Sequence, residues 1–559
     1  MHPASEDTQS GHSTCVVQTR EGPICGYIDR NDEGTYYKFK SIPFARPPIG
    51  PLRFMPPQPI APWAEELDCT MNSPMPVCVG RERKMIGTED CLYLEVISPN
   101  IKPNKPMPVM FFMPSYGFGY RVEEIYDASL ITNHDVVYVI CNGRLGPFGF
   151  LSINDISAPG NNGLKDLVLG LKWVQRNIHT FGGDPKNVTI FGSCSGGSMV
   201  HFMMLSPMAT GLFHKAIIQS ATALNNWSID RNPTAVVTEL AMKLGLQTSC
   251  MVTIIENLKK CSKDDLTSAW MDMVQERIAR FEGNFVDSVF KPCIEQEFEG
   301  QPAFLTRSPT LIVKSGNFNK VPFIIGSNSK EGEFVRFIGV NYYDYKKINE
   351  NVRHMVPKPI AVEDNLDQVI GQKILKFYSG GEDFMNEDSK DQYIQLISDF
   401  FFIYHVTKTV QLHTTFAPEC PIYYYILTHA GEWRLPKDLE LFNCVGHHAE
   451  IPFIFRIAIP GSPPCKGSRD SVTTRRRVIK MWTNFAKYGN PTPDENDPLL
   501  QIKWDPVDDA NKLNYLNIGS ELTKGRNPFR DRMAFWDDLL HQHKFLKILS
   551  FFQDFGMAC

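Results

Sequence analysis

Residues 181–205, FGGDPKNVTIFGSCSGGSMVHFMML, constrain the fold more tightly than any other stretch of the chain. The apolar run Val188 to Phe191 halts at Gly192, Cys194 and Gly196 follow at two-residue steps, and a helical pattern then begins. A strand feeding a tight turn and then a helix holds one side chain at the tip, and small neighbours two residues away on either side leave room for the bend. The wording is G-x-S-x-G with cysteine in the place of serine. A scaffold for nucleophilic chemistry is therefore expected, with sulfur as its reactive atom.

The rest of the chain reads as strands alternating with helices. Pro108 to Met113 and Val136 to Cys141 are expected as buried strands. Leu164, Leu167, Val168, Leu171, Val174 and Ile178 then recur at helical spacing. Val188 to Phe191 follows as a strand, Ser195 to Leu205 as a helix, and Ala216 to Gln219, Pro322 to Ile325 and Ile422 to Leu427 as later strands. Such alternation implies crossover connections and a mainly parallel α/β sheet covered on both faces. The helix-rich regions near 230–310 and 340–415 are expected over the strand ends, where doubly wound sheets bind ligands.

Composition excludes several classes. A net charge of −5 gives no electrostatic footprint for nucleic acid, and the one compact basic run, Arg475-Arg476-Arg477, reads as a solvated face at the start of a helix. No apolar stretch is long enough for a transmembrane span. The N-terminal MHPASEDTQSGHSTC lacks the apolar core of a secretory signal, so a cytoplasmic protein with mostly free thiols among its 14 cysteines is expected. Cys69, Cys78 and Cys91 are close enough in sequence to pair in an oxidising compartment, without the sequence saying which would do so. No cofactor is expected. His447, His448 and Glu450 suggest a metal site, but no further ligand cluster accompanies them, so no metal is expected either.

Several ordered segments carry a family resemblance. They are PFARPPIGPLRF at 43–54, EDCLYLEV at 89–96, NGRLGPFGFLS at 142–152, the long APGNNGLKDLVLGLKWVQRNIHTFGGDPKNVTIFG at 158–192, and WTNFAKYGNP at 482–491. With them the chain resembles the type B carboxylesterase and cholinesterase family of α/β-hydrolases from about residue 15 to 540, most closely the intracellular alpha-esterase branch of insects. The resemblance implies an α/β-hydrolase fold in a single domain, followed by a tail at 541–559. It also implies a Ser–Glu–His triad, here carried by Cys194, by Glu331 in GSNSKEGEF and by His447 in CVGHHAEIPFIF. The order nucleophile, acid, base agrees with that fold. Ser193 and Ser195 flank the tip without occupying it, so neither is expected to replace the nucleophile.

The family's His-Gly-Gly-Gly-Phe oxyanion loop corresponds here to Pro114, Ser115, Tyr116, Gly117 and Phe118. Backbone donors remain at Ser115, Tyr116, Gly117 and, after the nucleophile, Ser195, but serine and tyrosine resist the backbone angles that glycine permits. Losing one oxyanion donor costs about 2.7–4 kcal/mol in the barrier. A sulfur nucleophile must in addition have its thioester hydrolysed, which needs that same oxyanion hole. Trp227 is expected either to line the acyl side of the pocket or simply to pack in the core.

Three readings follow: a degenerate esterase that binds small apolar or ester-like ligands with weak or no hydrolysis; an active carboxylic ester or thioester hydrolase using Cys194; and a non-catalytic interaction protein. The tail places Phe545, Ile548, Leu549, Phe552 and Phe555 on one helical face beside Lys544 and Lys547. That face suits docking on the body, or a weak contact with a membrane surface or partner.

Overall fold

The apolar runs read from the sequence lie side by side in one thirteen-stranded sheet. The computed structural model describes residues 13–31, 34–80, 84–114, 117–119, 126–279, 289–336, 344–356, 364–433, 443–457 and 466–542. The strands are β1 (Ser13–Gln18), β2 (Pro23–Asn31), β3 (Gly34–Pro43), β4 (Tyr93–Ser98), β5 (Met107–Phe112) and β6 (Val137–Cys141). They continue with β7 (Gly183–Ser193), β8 (Lys215–Gln219), β9 (Phe323–Asn328), β10 (Ile422–Leu427), β11 (Asn514–Ile518) and β12 (Leu522–Arg526). A two-residue strand, Leu67–Asp68, runs beside β2.

In space the order is β1-β2-β3-β4-β6-β5-β7-β8-β9-β10-β11-β12. Every neighbouring pair from β6 across to β11 is parallel. Both margins are antiparallel, a feature the apolar patterns did not foretell. The expected parallel strands are all present, and β10 has the bounds read from the sequence. The elbow strand is longer than expected because it also takes in the more polar Gly183–Asn187.

Strands covered on both faces must be apolar on both, and β5, β9 and β10 are buried at every position. Alternate residues feed two separate cores. Ile190, Ile218, Ile325 and Tyr424 join one, while Phe191, Ile217, Ile324 and Tyr425 join the other. Helix α1 (Asn162–Asn177) covers the first face with Leu164, Leu167, Val168, Leu171 and Val174. The elbow helix α2 (Ser195–Leu205) lies on the same side and is buried on every face, which explains why its sequence is apolar all round. Helix α3 (Arg469–Tyr488) seals the opposite face with Val478, Met481, Trp482 and Phe485.

The regions expected to be helix-rich are so. The first carries Pro233–Lys243, Met251–Lys260, Lys263–Ala279 and Pro309–Ser315, and the second carries Asp364–Tyr378, Lys390–Ser398 and Tyr404–Phe416. The basic run differs from the reading of a solvated face at a helix start. It sits within α3, where the guanidinium of Arg475 lies 3.9 Å from the centre of the Trp433 ring and its Nε donates to the Pro452 carbonyl at 2.8 Å. Arg477 donates to the carbonyls of Leu499 and Ser520, and Arg476 alone is exposed. Burying an arginine stem and satisfying its head locally lets a charge run serve packing.

Cys69, Cys78 and Cys91 are buried. No helix among the described residues is long and apolar enough to cross a membrane. The tail residues 545–555 lie outside the described residues.

Candidate active site

Strand β7 delivers Cys194 to the mouth of the sheet in a conformation that few side chains adopt. Its φ is +59° and ψ is −129°, a backbone region that costs a non-glycine residue about 1–3 kcal/mol. Three contacts hold it there. Its N–H donates to the Gln219 carbonyl at 3.0 Å, its own carbonyl accepts the Ser198 N–H at 3.0 Å, and Gly192 lets the chain double back. A Cβ added at Gly192 would lie 2.5 Å from the carbonyl carbon of Gly196, and one at Gly197 would lie 2.6 Å from the Gln219 oxygen. Close backbone approach therefore requires Gly192, the first glycine of the motif, as the sequence argued, and also Gly197 just beyond the motif.

Glu331 opens a short 3-10 turn, Glu331–Arg336, just beyond the end of β9. It is completely buried, and Oε1 accepts the Asn328 N–H at 2.7 Å. Oε2 lies 2.7 Å from His447 Nδ1, while the His447 N–H donates to the Glu331 carbonyl at 2.9 Å. The carboxylate thus fixes both the ring and the backbone of His447. With Nδ1 engaged, Nε2 of His447 remains buried without a hydrogen-bond partner. The Cys194 sulfur and a ring nitrogen from each of His447 and His448 all lie within 4.8 Å of one another. Burial pulls the His447 imidazole down in pKa, but the neighbouring Cys194 sulfur and then Glu331 outweigh it, so the imidazole is held above its ordinary value. The three residues expected to act together are brought together.

A second layer braces this pair. Asn328 Nδ2 donates to Glu450 Oε2 at 2.7 Å and to the Gly446 carbonyl at 2.8 Å. The Ser193 hydroxyl donates to Glu450 Oε1 and lies 3.4 Å from His448 Nδ1. Ser193 therefore faces Glu450 and His448, consistent with its exclusion as nucleophile. Burial, followed by the Glu331 charge, pushes the Glu450 carboxyl up against the opposing pull of Asn328 and Ser193. His448 has φ of +70°, so a position that favours glycine carries a second imidazole. Of the set His447, His448 and Glu450 read from the sequence, the two histidines are joined in space by Cys194 as a third donor.

The oxyanion side is described only in part. Tyr116 and Ser115 lie outside the described residues. Pro114 and Gly117 are buried, and Gly117 keeps a left-handed φ of +55° that glycine tolerates. Ser195 follows the tip as the first residue of α2, completely buried.

Trp227 is 2% exposed and belongs to an aromatic wall. Its ring centre lies 6.4 Å from that of Phe118 and 6.1 Å from that of Phe402, which in turn packs at 4.3 Å on the His447 ring. Phe402 comes from a π-helical turn, Asp399–Ile403, the kind of widened turn that recurs at functional sites. That turn also presents the Phe401 carbonyl to two side chains, Trp227 Nε1 at 2.8 Å and Asn225 Nδ2 at 2.6 Å. Sequence reasoning did not find Phe402 or this turn. The run DFFFIYH at 399–405 is the only local signal, and it reads as ordinary core.

Comparison with known proteins agrees with the geometry. The sequence matches the profile described as "Carboxylesterase family" over residues 13–536. It is 30% identical to juvenile hormone esterase of Tribolium castaneum, covering 97% of this chain and 95% of that protein. It is 32% identical to esterase FE4 of Myzus persicae, covering 90% of this chain and 89% of that protein. The crystal structure of juvenile hormone esterase from Manduca sexta, with OTFP covalently attached, superposes with a TM-score of 0.81 at 27% identity, over 95% of this chain and all of that one. On a shared profile, full-length relatives and a shared α/β-hydrolase architecture, the chain belongs to the carboxylesterase family.

Proposed function

We propose that the protein is a degenerate esterase: it binds small apolar or ester-like ligands, takes an acyl group on Cys194 and releases it slowly or not at all. The observation that carries this reading is the position of Cys194 at the strained elbow tip, beside an intact His447–Glu331 pair. The steps follow from the groups present. His447 receives the thiol proton, Cys194 Sγ bonds to the acyl carbon, and the alkoxide leaves with the proton returned by His447. Hydrolysis of the resulting thioester then needs a water aimed through the same imidazole and well-placed oxyanion donors. Pro114 and the non-glycine residues after it weigh against those donors. Relatives named as juvenile hormone esterase and esterase FE4 support an ester as the ligand class, and the aromatic cluster of Trp227, Phe118 and Phe402 suits an apolar group.

One observation favours the second reading, an active thiol hydrolase. The acid–base pair and its Asn328–Glu450 brace are fully assembled, which folding alone does not require. The two readings separate in one experiment. Purified protein is mixed with a nitrophenyl or naphthyl ester, alcohol release is followed, and the protein mass is then read. A burst of one equivalent, then arrest with the acyl mass on Cys194, is expected. Sustained turnover that disappears in Cys194→Ala overturns the slow-release reading in favour of the hydrolase. Absence of both burst and adduct overturns acyl chemistry altogether.

A further inference from the structure

We propose that Cys194, His447 and His448 form a three-ligand site for a divalent, borderline-soft cation, Zn²⁺, which when bound takes the thiol out of acyl chemistry. The binding geometry stands by itself; the consequence for acyl transfer rests on Cys194 being the nucleophile.

The donors are of the right kind and number. One thiolate and two imidazoles are a combination that zinc favours over magnesium or calcium, and three protein ligands leave a fourth position for water or another group. The donor atoms lie within 4.8 Å of one another. Tetrahedral zinc, with Zn–S of about 2.3 Å and Zn–N of about 2.0–2.1 Å, sets ligand edges of roughly 3.3–3.6 Å. Side-chain adjustments on the order of an ångström close that gap. All three residues are buried, and His447 Nε2 has no hydrogen-bond partner.

The surroundings are those of a braced metal site. A metal-bound histidine usually gives its other ring nitrogen to a carboxylate, and His447 Nδ1 already lies 2.7 Å from Glu331 Oε2. Behind His448 stand Ser193, 3.4 Å from Nδ1, and Glu450, which Ser193 contacts in turn. Nucleophilic chemistry requires one imidazole beside the sulfur, so His448 is surplus to it. That surplus ring stands on a backbone at φ +70°, where glycine would be relaxed, so the chain holds it there against local preference. Binding is balanced by proton release. Zn²⁺ bonds to the sulfur, both imidazoles supply lone pairs, and one proton leaves to solvent whether it began on the sulfur or on His447.

The test uses the full-length protein stripped of metal, with Co²⁺ as the spectroscopic stand-in for Zn²⁺. Equilibrium dialysis is expected to give one tight Zn²⁺ equivalent, and its Co²⁺ counterpart should show a thiolate charge-transfer band with the visible intensity of a tetrahedral complex. Cys194→Ser removes the band. His448→Gly, which suits the backbone at that position, weakens binding at least about 100-fold, a loss at or beyond the upper end for an outer-shell partner. Reaction of Cys194 with an electrophilic acyl probe, compared within each protein with and without Zn²⁺, should be suppressed by the ion in the natural sequence and unaffected in His448→Gly.

Unchanged stoichiometry and affinity in both Cys194→Ser and His448→Gly would place the ion elsewhere among the other cysteines and histidines and overturn the proposal. So would a Co²⁺ complex without the thiolate band. The metal-free reaction with the acyl probe is scored separately. A tight zinc site on a thiol that never accepts an acyl group would overturn the acyl reading and its suppression while leaving the metal site standing.

Discussion

The two halves of the site have departed from the esterase pattern unequally. On the acid–base side, Glu331, His447, Asn328 and Glu450 are linked by bonds of 2.7 to 2.9 Å and buried within the protein. On the nucleophile side the backbone makes the tight Gly192–Gly196 approach, while the tip atom is sulfur and the loop wording after β5 reads Ser115 and Tyr116 where the family resemblance implies glycine. The difference follows from how each half is built. Removing one member of a buried hydrogen-bonded network strands its partners at about 1–3 kcal/mol each, whereas Ser to Cys at the elbow tip leaves the backbone bonds of Cys194 in place and keeps a weak donor beside His447. Chemistry can therefore change at the elbow at little structural cost, while the braced side resists change.

The strongest challenge to this contrast is Cys194→Ala. If sulfur is the only nucleophile, acyl transfer falls by about a million-fold, the scale seen when a serine hydrolase loses its nucleophile, and no protein adduct is found by mass. An adduct that persists on Ser193 or Ser195 would mean that the elbow half retains a reactivity the geometry denies it.

Next comes Glu331→Gln, which keeps the shape of the braced half while removing the charge behind His447. The rate of Cys194 acylation should fall by about 10⁴-fold, the cost when the orienting acid of a comparable triad is made an amide. Stopped-flow release of nitrophenol measures it, and a change of less than about tenfold would show that His447 needs no oriented partner here.

A smaller effect is expected from acid. His201 of the elbow helix and His413 of the helix Tyr404–Phe416 share a bond of 2.9 Å between their Nε2 atoms, deep in the interior. The Ala223 N–H donates to His201 Nδ1, so the shared proton belongs to His201 Nε2 and His413 must carry its own on Nδ1. Burial lowers His201 well below its ordinary value, with the His413 charge adding to it, and brings His413 down to about 3. Both pKa values are depressed in the folded state, so the unfolded chain binds more protons below pH 6.5. The stability they give is complete above that pH and is lost as pH falls toward the folded values. Each histidine should then contribute up to about 1.4 kcal/mol per pH unit, read from urea midpoints between pH 7 and pH 5. His413→Phe should flatten the slope; an unchanged slope would mean that this contact does not tie the elbow helix to the insertion.

The smallest effect lies far from either half. Arg475→Ala should cost about 0.5–2 kcal/mol through loss of stacking on Trp433, against less than about 0.5 for the exposed Arg476→Ala. Equal effects in thermal melts would return the basic run to the solvated role its sequence suggests.

How much of this was legible in the sequence depended on separation along the chain. The elbow was readable because Gly192, Cys194 and Gly196 are local, and strands such as Ile422–Leu427 were readable because burial on both faces leaves an unbroken apolar run. Cys194, Glu331 and His447 could be named only through family wording around each. The brace could not be seen: Ser193, Asn328 and Glu450 are separated by more than a hundred residues at each step and carry no periodicity. His448 looked like half of a polar turn, since sequence does not reveal a φ of +70° or the sulfur that stands near it.

The widened turn at Asp399–Ile403 has a consequence for how the aromatic packing beside His447 can diverge. Its one extra residue sets which ring leans on His447, and the same loop of backbone anchors the indole opposite through the Phe401 oxygen. Exchanging any single phenylalanine trims one wall and leaves the anchoring intact. Deleting one residue would tighten the coil and swing both features away together, so divergence here proceeds by whole-residue steps.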